Sequence, residues 1–65
     1  MQYEIVVRGL LSDTVLIAFP TLSAEPHGGE TVLAGSLSDQ AALYGVLAQL
    51  EALGLELLEV RRPRA

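Results

Sequence analysis

The chain has to fold without a covalent or metal staple. It has 65 residues, no cysteine and one histidine. A domain of this size buries only about 60% of the surface that its unfolded form exposes, and small domains commonly add disulfides, a metal ion or oligomerisation. No disulfide or thiolate metal site can form without cysteine, and one histidine does not make a zinc site. We therefore expect a single domain over residues 1–65 that binds no metal and no cofactor and that self-associates.

The composition favours the same association. Hydrophobic residues make up 51% of the chain and charged residues only 18%. A fold this small has too little interior for so many apolar side chains, so some of them must lie on the surface. Contiguous apolar surface usually marks an interface.

The charge and the absence of targeting signals argue against several partners. The net charge is −4, and the only basic residues are Arg8, Arg61, Arg62 and Arg64. Nucleic-acid binding needs a basic patch, so we expect no nucleic-acid partner. No segment approaches the roughly 20 apolar residues that span a bilayer, and the N-terminus does not resemble a signal peptide. We expect a soluble, cytoplasmic protein without a membrane partner.

The first half of the chain predicts a strand, a short helix and a hairpin. Residues 3–8 are β-branched and aromatic, which is typical of a strand. Residues 12–19 fit a helix capped by Ser12, although their apolar residues suit a strand as well; the helix is favoured by its i, i+4 spacing. Residues 22–27 and 30–37 read as two strands around Gly28-Gly29, a hairpin turn signal. Pro26 places the first of them at a sheet edge.

The second half predicts a helix followed by a strand. Residues 38–53 have Ser38 as the expected N-cap and an apolar stripe that ends before Gly54, the expected stop. Residues 55–62 form the last strand. The residues expected in the core are Ile5, Val7, Leu43, Val46, Leu47, Leu50, Leu58 and Val60.

The predicted order of elements is βαββαβ, which indicates an α+β, ferredoxin-like fold. Right-handed crossovers would place both helices on one face of a four-stranded antiparallel sheet. The opposite face of that sheet would be bare in a single chain.

The segment 37–62, with its cap, leucine stripe, glycine stop and final strand, resembles a group of short, uncharacterised proteins of high-GC actinobacteria. The resemblance extends through residues 7–9 and 31–33. The resemblance implies no activity, so it assigns no functional role to any residue of this chain.

No group of residues predicts catalysis. His27 lies between Glu25 and Glu30, a pattern that could transfer protons, but a lone histidine beside a turn is more often a solvated surface residue. The Gly28-Gly29 pair lacks the lysine and the longer glycine pattern of a phosphate-binding loop. We predict no catalytic residue and lean towards a protein that is not an enzyme.

Two surfaces are candidate interfaces. The bare sheet face is expected to carry two apolar residues, Val6 and Leu57, among four charged residues: Glu4, Arg8, Glu59 and Arg61. The second helix carries a stripe of small residues opposite its leucines: Ala41, Gly45, Ala48 and Ala52. Such a stripe permits close helix packing, but alanine is also the best helix former, so both interpretations of the stripe stay open. Of the two surfaces, the sheet face is favoured as the dimer contact because its area is larger.

These observations predict a non-catalytic module that associates with itself, most simply as a symmetric dimer, or that binds a protein partner. The alternatives are a small-molecule-sensing regulatory domain, and a small enzyme in which two sheet faces enclose a pocket. If Glu4, Arg8, Glu59 and Arg61 pair with one another, the module is favoured. If they surround a cavity, a ligand site is favoured.

Removal of metal ions should leave the thermal stability unchanged, because the chain lacks a zinc ligand set. We expect the same midpoint by circular dichroism with a free chelator and with a chelator already saturated with calcium. A midpoint that falls by several degrees only in the free chelator would contradict the expectation.

Overall fold

The computed structural model describes residues 1–63, apart from the side chain of Thr14. Its elements lie in the order β1 (Gln2–Arg8), α1 (Asp13–Ile17), β2 (Leu22–His27), β3 (Glu30–Ser36), α2 (Gln40–Ala52) and β4 (Leu57–Arg61). The α+β class and the predicted succession of strands and helices are confirmed over this range.

The four strands form one open sheet in the order β2-β3-β1-β4. Each neighbouring pair is antiparallel. It follows that β1 and β2 run parallel with β3 between them, and that β3 and β4 run parallel with β1 between them. Each helical connection therefore joins two parallel strands across an intervening strand, and β2 and β4 lie at the edges.

The core lies on one side of the two central strands. Side chains alternate between the two faces of a strand, and one set of alternate residues, which includes Ile5, Val7 and Leu33, is 0% exposed. Residues of α1 and α2 and of the loops that flank them pack against this set. Within the described residues, the buried cluster consists of Tyr3, Ile5, Val7, Phe19, Leu33, Leu37, Leu43 and Leu50.

Residues 13–17 form a helix, which settles the choice between helix and strand. The predicted cap is confirmed, because the Val15 backbone N–H donates to Ser12 Oγ at 3.4 Å. The helix ends earlier than predicted. The N–H groups of Ala18 and Phe19 donate three residues back along the chain, which tightens the last turn, and the buried Phe19 side chain holds it against the core.

The two ends of α2 are determined by different residues. The N-cap is Asp39 rather than the predicted Ser38, since Asp39 Oδ1 accepts from the Ala42 N–H at 2.8 Å. The predicted stop at Gly54 is confirmed by its φ of 80°. The N–H groups of Gly54 and Leu55 donate to the carbonyls of Glu51 and Leu50 at 2.9 and 3.1 Å, the pattern of a Schellman motif.

The hairpin between β2 and β3 follows the prediction. Gly28 and Gly29 have φ values of 56° and 84°. A type I′ turn requires a positive φ at both of its central positions. The turn sets His27 opposite Glu30. Because the turn fixes the register of the whole hairpin, it also decides which side chains of β2 and β3 lie on each face.

The last strand differs from its prediction in length and register. It spans 57–61 instead of 55–62, and a register shift between Val6 and Val7 interrupts its pairing with β1. Leu57 therefore pairs with Val7, and Glu59 pairs with Val6. A β-bulge of this kind places one extra residue in the edge strand.

Four of the eight predicted core residues are buried: Ile5, Val7, Leu43 and Leu50. Val46 and Leu47 are partly buried against the cluster, and Leu58 is half-buried. Val60 is 37% exposed, so its assignment to the core is wrong. It lies on the edge strand β4, and the buried cluster is centred on β1 and β3 instead.

The packing of α2 predicts different losses of stability for two leucines that lie three residues apart, Leu50 and Leu53. Leu50→Ala should lower the free energy of unfolding by about 2–5 kcal/mol, because it empties a fully buried site. Leu53→Ala is the control, since Leu53 is 51% exposed, and it should stay within about 0.5 kcal/mol of the wild type. Urea melts measure both. Equal losses for the two variants would show that the helix presents a different face to the sheet.

Two glycines predict stability changes of opposite sign. A Cβ at Gly35 would collide with the Thr21 carbonyl oxygen and would lie 2.9 Å from Leu22 Cδ2, so Gly35→Ala should destabilise the fold by about 1–3 kcal/mol. A Cβ at Gly45 meets nothing within 4 Å, so Gly45→Ala should stabilise α2 by about 1 kcal/mol. Thermal melts at protein concentrations too low for self-association provide the measurement, and destabilisation by Gly45→Ala under those conditions would contradict the open space at this position.

Candidate functional site

The face of the sheet opposite the core is built from rows of residues that the strand register places side by side. The central row runs from Glu25 of β2 through Val32 of β3 and Val6 of β1 to Glu59 of β4. Two valines therefore lie at the middle of this face, and a carboxylate lies at each end of the row.

The neighbouring rows add further charges. On one side, Ala34 is paired with Glu4, which is paired with Arg61. On the other side, His27 lies opposite Glu30 at the hairpin. Together these side chains line an open depression of about 490 Å³, which we call the open sheet face and which consists of Glu4, Val6, Glu25, His27, Glu30, Val32, Glu59 and Arg61. With His27 neutral, four glutamates and one arginine give this lining a net charge of −3.

The single arginine of the open sheet face is already engaged. Arg61 Nε lies 3.1 Å from Glu59 Oε2 and 3.5 Å from Glu4 Oε1. All three side chains are at least one-third exposed, and such exposed pairs stabilise a fold by only about 0–1 kcal/mol. Glu25 and Glu30, on the hairpin side, form no ion pair with any residue in the range 1–63.

Arg8 lies opposite Glu30 in the strand register but does not line the depression, and it pairs with Glu56 instead. Its Nε donates to Glu56 Oε1 at 3.2 Å, and its backbone N–H donates to the Glu56 carbonyl at 3.0 Å. Of the charged residues considered as its partners, Glu4 and Glu59 pair with Arg61 instead. The bulge in β4 displaces the pairing beyond Val6, so residues before it meet β1 in a different register.

The apolar part of the open sheet face is smaller than expected. Val6 lies at its centre but is only 7% exposed, because long charged side chains around it cover apolar surface with their aliphatic stems. Leu57 pairs with Val7, which faces the core, and it does not line the depression. The expectation that Leu57 shares the open face with Val6 is therefore wrong.

The outer surface of α2 carries the predicted small residues. All four are exposed: Ala41, Gly45, Ala48 and Ala52. Tyr44, between them in sequence, is 60% exposed. This surface, which we call the α2 outer face, is thus an apolar area that the chain itself leaves uncovered.

Several residues of these surfaces were not predicted. Glu30 and Val32 belong to the open sheet face, and strand alternation from the hairpin turn would have placed them there. A second, apolar groove of about 240 Å³ lies beside α1 and is lined by Leu10, Leu11, Leu16, Ala24, Pro26 and Thr31. Thr31 Oγ1 donates to the Gly9 carbonyl at 2.7 Å, which ties the loop after β1 to β3.

The described part of the chain has neither a metal-binding cluster nor a membrane span. Within residues 1–63, no three His, Cys, Asp or Glu side chains are arranged to hold a metal ion. No helix in the same range is both long and apolar enough to cross a bilayer.

The fold and its surfaces define a small α+β domain with one uncovered, acidic sheet face. The chain belongs to the family described as Domain of unknown function (DUF8691), whose model matches residues 2–61. No curated protein and no solved structure gives a significant match to it. The resemblance to short actinobacterial proteins stays a prediction.

Proposed function

We propose that this chain is a non-catalytic binding module that recognises a protein partner through the open sheet face. The observation that carries the proposal is that this face is uncovered, with two valines at its centre and charged side chains around them. An apolar centre within a polar rim is the usual anatomy of a protein interface.

The charged residues favour binding over catalysis. Glu4 and Glu59 both pair with Arg61, as expected of a module, whereas Arg8 pairs with Glu56 instead. His27 and Glu25 are exposed to water, whereas catalytic groups usually lie in sheltered sites that perturb their protonation. The same side chains line a depression, and this observation favours a small-molecule-sensing domain as the second candidate function.

We place the fold in the ferredoxin-like class. The support is the βαββαβ order and the two parallel strand pairs, each split by a third strand, which is the split βαβ arrangement. The cytoplasmic location stays a prediction.

We further propose that the module forms a symmetric dimer, and that the α2 outer face is the contact. Tyr44 and the four small residues there are exposed, so burying them removes apolar surface from water. The open sheet face would contribute less, because Val6 is already covered by its own chain. This reverses the preference for the sheet face that the sequence suggests.

Light scattering at micromolar concentration tests the dimer. We expect a mass of two chains that falls to one in Gly45→Glu, which places a charge at the centre of the contact, and that is unchanged in Val32→Glu on the open sheet face. Circular dichroism checks that both variants fold. A wild-type mass of one chain at every concentration would refute self-association, and dissociation by Val32→Glu alone would move the contact to the sheet.

Native mass spectrometry of the purified protein tests the second candidate function. A small molecule that is retained by the wild type and lost in Glu25→Gln would favour the sensing domain over the binding module. The bare protein mass in both samples is the result expected of a module.

A further inference from the structure

We infer that the open sheet face binds a short, extended segment of another protein that carries two lysines or arginines four residues apart, with an apolar residue midway between them. The inference rests on the proposed function, because it names the partner of the same face. Three observations support it: the charge of the face, the small apolar area that a second copy would bury there, and the spacing of the central row.

The charge of the face selects a cationic occupant. Its lining has a net charge of −3, and its only arginine is shared between Glu4 and Glu59. Glu25 and Glu30 form no ion pair among residues 1–63, since Arg8, which lies opposite Glu30, pairs with Glu56. A positively charged segment would supply a cation, and such complementarity steers association and excludes partners of the wrong sign.

A second copy of the chain fits this face poorly. It would bring a like-charged surface against Glu25 and Glu30, and like-charge juxtaposition opposes binding. It would also gain little apolar burial, since Val6 is only 7% exposed.

The central row sets the spacing of the occupant. Glu25 and Glu59 lie at its two ends with Val32 and Val6 between them, so three strand spacings separate the ends by about 14 Å. An extended chain rises about 3.4 Å per residue, so residues i and i+4 are also about 14 Å apart, and residues i, i+2 and i+4 share one face. One cation would lie at the Glu25 end and an apolar side chain over the valines. The second cation would lie beside Glu59, where Glu4, Glu59 and Arg61 together keep a net charge of −1.

The segment would cross the strands instead of extending the sheet. Pro26 lies on the edge strand β2 and has no N–H to donate to an added strand. The other edge, β4, pairs with β1 across a bulge, a feature that discourages edge pairing. The open sheet face, unlike these edges, can be contacted without new backbone pairing.

Titration of the ¹⁵N-labelled protein with a synthetic peptide tests the inference. The probe is acetyl-Ser-Lys-Ser-Leu-Ser-Lys-Ser-amide, and the matched control has the same composition with both lysines adjacent. We expect the probe, at millimolar concentration, to shift the amide resonances of Val6 and Val32, and the control peptide to bind several-fold more weakly. Raising the salt concentration should weaken the binding of the probe, because salt screens exposed charges.

Protein variants that each lack one carboxylate charge identify which surface contacts the peptide. Glu25→Gln should weaken the binding of the probe about two- to five-fold, as expected for the loss of one exposed ion pair. Glu51→Gln, which removes an exposed charge from α2, is the matched control and should bind like the wild type. Both changes are isosteric at exposed positions, so neither threatens the fold.

Three outcomes would overturn the inference and also distinguish it from the proposed function. Equal binding of the two peptides, or equal effects of Glu25→Gln and Glu51→Gln, would remove the proposed spacing or contact. Concentration-dependent broadening of Val32 without peptide would make a second copy the occupant and leave the face as an interface. Resonance shifts absent from the open sheet face, in a sample that stays unassociated there, would overturn both the inference and the proposed recognition surface.

Discussion

The fold depends on burial along one side of its two central strands. Ile5 and Val7 of β1 and Leu33 of β3 are completely buried, and the apolar residues of both helices pack against the cluster that they form. Because a strand alternates its side chains between two faces, this arrangement leaves the intervening residues on the opposite side without a covering layer. The open sheet face is therefore a direct consequence of how a chain this short builds its core.

What that face can bind is decided by charge more than by apolar area. A bare sheet face usually suggests hydrophobic association, but here Val6 is sheltered by its own neighbours and the surrounding side chains carry a surplus of carboxylates. Exposed apolar side chains lie elsewhere, at Leu10 and Ile17 beside α1 and around Tyr44 on the α2 outer face. The two surfaces thus differ in chemistry, which allows self-association and partner recognition to occupy different sides of one domain.

Local signals predicted the parts of the fold that depend on backbone conformation. The Gly28-Gly29 turn, the stop at Gly54 and the edge position of Pro26 each follow from restrictions on a single residue, and the structure has all three. The bulge in β4 follows from pairing with a distant strand, so the sequence did not reveal it, and Leu57 was misplaced in consequence. Val60 was misplaced for another reason, because it pairs with Ile5 but lies on an edge strand that the core does not cover. Of the candidate site, Glu4, Val6, Glu59 and Arg61 were predicted, whereas the contribution of Glu30 and Val32 required the register of the hairpin.

The accessibility of methyl groups to a soluble gadolinium chelate tests one-sided burial most directly. In dilute protein, paramagnetic relaxation should be weak for the methyl groups of Val7 and Leu33, which face the core. It should be markedly stronger for those of Val32, which is half-buried on the opposite face. If the Val32 methyl groups were as protected as those of Leu33, a layer of protein would cover that face, and the account of an uncovered sheet would be wrong.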